Sequence, residues 1–287
     1  MKVTAPAKIN LCLRVGPRRD DGFHDVASVL VALPLGDRLE LEPAARTRVD
    51  APGLAGGDTL ATHALALLAA RAGHRGGWRV RIEKRVPAGA GLGGGSADAA
   101  AALGLANATL PEPLRHEELV ALSAAVGSDV PFFVSARPSA LARGRGELLE
   151  ACPLRAPAWV VIGWPGVALA TAEVYARYRP EPEAVRRVAS LTAEPFATTD
   201  AEGLAHLVAN DLAEPAEELC PPVAALRARL LAGGALAACV SGSGSAVFGL
   251  FANEDAAREA DRRLRRDTPW VGVARLTPGA GPDRITV

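Results

Sequence analysis

The chain has almost no lysine. Of its 32 basic residues only Lys2, Lys8 and Lys84 are not arginine, so each retained ammonium invites a question. Formal net charge is zero, which argues against nucleic acid as the main partner. Four cysteines (Cys12, Cys152, Cys220, Cys239) lie far apart and form no metal-binding spacing. They also make no disulfide framework, and Cys12 and Cys239 fall in apolar strand patterns that predict buried free thiols. Five histidines (His24, His63, His74, His116, His206) show no zinc-type pairing, and no protein-held metal is expected. No apolar run is long enough to cross a bilayer and no leader pattern opens the chain, so no membrane partner and a cytoplasmic location are expected. Oligomeric state is not readable.

Apolar residues are plentiful instead. They make up 49% of the 287 residues, enough to bury the core of one large domain or two smaller ones. Lys8–Val15 alternates, with Ile9, Leu11, Leu13 and Val15 on one face and Lys8, Asn10, Cys12 and Arg14 on the other. Strands are expected at 26–33 and 38–42, and Asp58 is placed to cap a helix that carries Leu60, Leu65 and Leu68. Trp78, Val80 and Ile82 alternate with Arg79, Arg81 and Glu83, a further strand. Helices are expected at 96–108 and 115–126, and a hairpin at 139–152. A boundary is expected where prolines interrupt the pattern, dividing the chain at 1–153 and 154–287. Beyond it, a strand at 159–164 is followed by helices at 171–178, 183–191, 201–208 and 222–231. A hairpin at 237–251, a helix at 254–265 and a strand at 271–276 close an α+β unit.

Between the strand and the alanine-rich helix lies Pro87–Ser96, in which five of ten residues are glycine. Glycine lets backbone N–H groups converge at positive φ, and a helix start adds free donors. Together these cradle anions, phosphate above all. No lysine lies in the loop, so it is not a Walker P-loop. Gly89, Gly91 and Gly94 match the dinucleotide fingerprint. That fingerprint needs a strand and an acid about twenty residues on. Here Pro111–Val126 reads as a second helix. A mobile linker is the plain alternative, but strand and helix signals bound the loop sharply. Ser96 is a good helix N-cap and can also offer its hydroxyl to phosphate or magnesium. Asp129, between Gly127 and Pro131, reads alone as a turn former.

Ala5–Leu11, Asp21–His24, Pro87–Ala97, Gly127–Phe133 and Ser241–Ser245, in this order, resemble the GHMP small-molecule kinases. The resemblance implies an α+β, two-domain fold. Its N-terminal, ATP-binding domain would be like the second domain of ribosomal protein S5, and its C-terminal domain ferredoxin-like. More narrowly it implies the branch that uses ATP to phosphorylate the 2-hydroxyl of a cytidine-diphosphate-linked methylerythritol. That reaction serves the non-mevalonate route to isoprenoid precursors. Sister enzymes acting on mevalonate, homoserine or a sugar are the competing reading. ATP would be held by Pro87, Ala88, Gly89, Ala90, Gly91, Leu92, Gly93, Gly94, Gly95, Ser96 and Ala97, with Mg2+ carried in on the nucleotide. Asp129 would take the proton of the attacked hydroxyl. Lys8 would sit beside both and favour the developing alkoxide. The small-molecule partner, a cytidine diphosphate-linked polyol, would be met by Asn10, Phe23, His24, Thr171 and Tyr175. Ser241–Ser245 would close over phosphates or would be only a hairpin tip. The chain departs from the family pattern at Phe23 (tyrosine is usual), Ala90 (glycine), Ala172 (proline) and Leu30 (an aromatic), so cytosine would stack on fewer rings.

Overall fold

A computed structural model describes residues 1–54, 59–155 and 157–276. Asp58, expected as a helix cap, lies outside them. Strands of two sheets meet in one apolar cluster, where Ile9 and Leu11 lie with Val160, Ile162 and Phe248. In the first sheet, β1 (Lys2–Arg18) and β2 (His24–Ala44) are long antiparallel partners. β3 (Arg48–Asp50), β4 (Gly77–Glu83), β5 (Ser139–Gly144) and β6 (Leu148–Ala151) extend that sheet. On it lie α1 (Thr59–Ala72), α2 (Gly94–Asn107), α3 (His116–Ser123) and α4 (Val130–Val134). The remaining elements are β7 (Ala158–Trp164), α5 (Thr171–Arg177), α6 (Ala184–Ser190), α7 (Glu194–Thr198), α8 (Ala201–Leu207), β8 (Ala209–Asn210), α9 (Ala213–Leu219), α10 (Pro221–Ala232), β9 (Ala237–Val240), β10 (Val247–Phe251), α11 (Glu254–Leu264) and β11 (Trp270–Leu276). The second sheet runs β11-β7-β10-β9, all antiparallel. Counting its own strands, that is the order 4-1-3-2 of a ferredoxin-like unit. The chain crosses between sheets after β6, yet β8 returns to pair in parallel with Cys12 and Leu13 of β1.

Local chemistry explains the elements. β4 buries Trp78, Val80 and Ile82 and exposes the charged residues between them. Trp78 Nε1 donates to Thr109 Oγ1 at 2.8 Å, tying β4 to the end of α2. Asn253 caps α11 by accepting from the Ala256 amide, Glu254 and Asp255 open it, and Arg262 and Arg263 close it. Its buried stripe, Ala257, Ala260 and Leu264, packs on the second sheet.

The alternation read in β1 is misleading in one respect. Ile9 and Leu11 are buried as expected, but Lys8 and Asn10 are buried as well. The second sheet covers one face of β1 and helices lie over the other, and a bulge between Asn10 and Cys12 shifts the register. The two strands expected at 26–33 and 38–42 are one continuous strand, β2. The 111–126 region contains helix α3 and no strand, which removes the dinucleotide-fingerprint reading. Among the described residues no helix is long and apolar enough to cross a membrane.

All four cysteines are buried free thiols. Burial pushes Cys12 and Cys152 up to about 11 and Cys239 to about 12, from an ordinary 9.0. Iodoacetamide at pH 8 should therefore leave the native protein unlabelled by mass spectrometry, and label four thiols in denaturant. The unfolded chain loses these protons near pH 9 while the folded chain retains them. Stability should thus be flat from pH 7 to 8 and fall as pH rises above 9. Labelling of the native protein, or a melting temperature that rises above pH 9, would contradict this.

Candidate active site

One cavity of about 1260 Å³ gathers residues from distant parts of the chain. Its floor is the glycine-rich loop. Gly89, Gly91 and Gly93 have φ of 66°, 80° and 73°. A Cβ on Gly91 would lie 2.0 Å from the Ser241 carbonyl oxygen, and one on Gly93 would lie 2.9 Å from Lys8 Cγ. These two glycines let the loop press against the Ser241 turn and the lysine stem. Ala90 sits at negative φ and is buried, as the substitution of glycine there requires.

The helix begins earlier than its sequence suggests. Gly93, in the left-handed region, is the N-cap, and no side chain caps the helix. Ser96 is therefore the third residue of α2 rather than its cap. Its half-buried hydroxyl lines the cavity and makes no hydrogen bond among the described residues. The amides of Gly94, Gly95 and Ser96 precede the first intrahelical bond, Ala97 N to Gly93 O at 2.9 Å. Pro87 through Ser96 all line the cavity. Ala97 does not; it is buried in the core.

Lys8 and Asp129 meet above this floor. Lys8 Nζ lies 3.4 Å from Asp129 Oδ2 and donates to Asn10 Oδ1 at 2.5 Å. The lysine side chain is 4% exposed and the aspartate 32%. Asp129 occupies the N-cap position of α4 but makes no capping hydrogen bond, so its carboxylate is free to face the cavity. Asn10 Nδ2 donates to Ser28 Oγ, which donates to the Cys12 carbonyl, fixing the amide flip that aims Oδ1 at the ammonium. Ser241 Oγ accepts from Asn10 N at 3.3 Å and donates to Gly91 O at 2.9 Å, linking strand, loop and hairpin turn.

The other end of the cavity is aromatic. Phe23 is 51% exposed. The His24 and Tyr175 ring centroids are 5.1 Å apart. His24 Nδ1 donates to Gly16 O at 2.8 Å, which leaves Nε2 as acceptor in the neutral ring. Burial pushes the Tyr175 phenol up to about 12, with the charge of Asp129 and Tyr178 adding to it, so Tyr175 stays a donor. Thr171 Oγ1 is 3.0 Å from Ser243 Oγ. All five expected substrate residues line the same cavity as Lys8 and Asp129.

Sequence reading missed Lys84. Its ammonium is nearly buried and pairs with two fully buried carboxylates, Asp37 and Asp98, the latter at 2.7 Å. Burial alone would lower its pKa, but Asp98 and Asp37 outweigh that and raise it. Asp37 also accepts from the Arg85 and Val86 amides, so the cluster anchors the entry to the glycine loop and the first turns of α2. The scarcity of lysine was the one available signal.

Residues 59–137 match the family described as GHMP kinases N terminal domain, and residues 192–268 match GHMP kinases C terminal. The chain is 39% identical over 284 residues to a protein of Thermus thermophilus named 4-diphosphocytidyl-2-C-methyl-D-erythritol kinase, covering 98% of this chain and 100% of that one. It is 38% identical over 281 residues to a protein of the same name from Pelotomaculum thermopropionicum, covering 94% and 96%. A crystal structure of a 4-(cytidine 5'-diphospho)-2C-methyl-D-erythritol kinase superposes with a TM-score of 0.81 at 38% identity, over 98% of this chain and 100% of that one. A homoserine kinase from Cytophaga hutchinsonii shares the fold, with a TM-score of 0.75 at 17% identity over 99% and 96%.

Proposed function

Because this chain belongs to the GHMP kinase family, in the branch of its 4-diphosphocytidyl-2-C-methyl-D-erythritol kinase relatives, we propose that it transfers the γ-phosphoryl group of ATP to the 2-hydroxyl of 4-diphosphocytidyl-2-C-methyl-D-erythritol. The observation that carries this reading is the 3.4 Å pair of Lys8 and Asp129 above a glycine-rich loop. Phosphoryl transfer passes through a loose transition state, so catalysis is mainly positioning and charge neutralisation. The loop and the first amides of α2 hold the triphosphate. Asp129 accepts the hydroxyl proton. The oxygen then bonds to the γ-phosphorus as the bond to the ADP oxygen breaks. Lys8 offsets negative charge on the attacking oxygen.

Among the described residues no cluster of three metal-binding side chains exists. Mg2+ that keeps its waters and arrives on the nucleotide suits such a site. The Ser96 hydroxyl would face it, and the ion would neutralise phosphate charge. Phe23, His24 and Tyr175 receive the cytidine, and Asn10 and Thr171 bind polar parts of the substrate.

Purified protein should consume ATP only when 4-diphosphocytidyl-2-C-methyl-D-erythritol is present. Mevalonate and homoserine should give no turnover. Turnover with either control instead would move the chain to another substrate.

A further inference from the structure

Five cationic or anionic side chains line the described cavity: Lys8, Arg18, Lys84, Asp129 and Arg145. Three are matched in charge. Lys8 faces Asp129, and Lys84 faces Asp37 and Asp98. Arg18 and Arg145 form no ion pair among the described residues. Neighbouring Arg19 shows the contrast, since Asp21 and Asp25 hold it at 2.9 and 2.8 Å. Two uncompensated guanidinium groups therefore stand at the aromatic end of the cavity.

Their backbone setting is defined. Arg145 tips the β5–β6 turn between Gly144 and Gly146, at φ of 70° and 116°. The carboxylate of Glu147, two residues on, accepts from the Arg145 amide at 2.7 Å and forms no ion pair with its guanidinium. The Arg145 Cζ lies 4.9 Å from the centroid of the Phe23 ring. A guanidinium laid on a ring is oriented by its face, and its in-plane N–H donors stay free to meet an anion. A Cβ on Gly146 would lie 3.5 Å from Ser128 Cβ, so the same turn packs beside the neighbour of Asp129. Arg18 Nε donates to Gly22 O at 3.1 Å, which brings the second guanidinium to the turn that carries Phe23.

We propose that Arg145, with Arg18, forms an anion subsite that holds the diphosphate of the cytidine-linked substrate. The proposal rests on the substrate reading given above. In such a substrate the diphosphate joins the nucleoside to the polyol. With the base at Phe23, His24 and Tyr175 and the hydroxyl at Asp129, the diphosphate spans the interval that the Arg145 turn borders. The phosphates of ATP have their own donors in the glycine loop. Arginine suits this role because its fork meets phosphate oxygens two at a time.

The test compares CDP with cytidine. Binding of each is measured calorimetrically with a non-hydrolysable ATP analogue filling the glycine loop, for wild type, Arg145→Leu and Arg18→Leu. Each variant should lose about tenfold in CDP affinity, the size of one charge-assisted contact, and keep cytidine affinity within about twofold. The KM for 4-diphosphocytidyl-2-C-methyl-D-erythritol should rise about tenfold with the KM for ATP unchanged, which also reports an intact fold. Unchanged CDP affinity in both variants overturns the subsite. Equal loss of CDP and cytidine also overturns it, because Arg145 would then only brace Phe23. Wild-type protein that fails to turn over the substrate overturns the functional reading itself, a separate result.

Discussion

Asp129→Asn is expected to lower kcat by about three orders of magnitude and to leave the KM for ATP within about twofold. Asparagine has the same outline but cannot accept the hydroxyl proton. The carboxylate caps no helix, so its loss does not unravel α4. Lys8 keeps its contact with Asn10 Oδ1, which holds the cost of leaving a buried ammonium without its anion to about 1–3 kcal/mol. Activity should fall far more than stability. The decisive measurement is steady-state turnover beside a thermal melt of the same preparation. Turnover close to wild type would remove Asp129 from the proton-accepting role. A matching collapse of the melt would make its role structural.

How far the residues disclosed this site depended on the range of the interactions. The glycine loop was readable because strand, loop and helix are contiguous, and each obeys a local rule. Its details were less so. Ser96 looks like a helix cap, but Gly93 takes the left-handed cap position and starts the helix two residues before Ser96. Lys8 looks like a solvated strand residue, because period two separates it from Ile9 and Leu11. The second sheet covers the Ile9 and Leu11 face, while the lysine stem is enclosed on the other face by the glycine loop at Gly93 and by α4, neither of which local alternation can announce. Asp37 in β2, Lys84 just past β4 and Asp98 in α2 follow no shared spacing, so beyond the rarity of lysine their ion pairs leave no sequence trace. The two-residue strand β8 and the short helices α7 and α9 carry too few residues to display a period. Phe23 and Arg145, far apart in the chain, meet only through the pairing of β2 with β5.

Lys8→Met should lower kcat by about two to three orders of magnitude with little change in either KM. The lysine opposes charge that grows only as the hydroxyl becomes an alkoxide, and such an interaction is strongest in the transition state. Methionine keeps the length of the stem and the packing against Gly93 while removing the charge. Burying an ammonium is costly, and replacing a buried ion by an apolar side chain is often neutral or stabilising. Asp129, 32% exposed, can turn to water. The melting temperature should therefore hold or rise as activity is lost, which separates this loss from unfolding. Lys8→Arg completes the experiment. The chain prefers arginine almost everywhere else, so its use of lysine here calls for a local cause. The stem is enclosed: a Cβ on Gly93 would come within 3.1 Å of Lys8 Cε, and one on Gly242 within 3.4 Å of Nζ. A planar guanidinium does not fit between those backbones without moving the phosphate loop. The arginine variant should thus remain as impaired as the methionine variant and also raise the KM for ATP. Recovery of wild-type kcat with arginine would mean that charge alone suffices and that the tight enclosure around Lys8 plays no part.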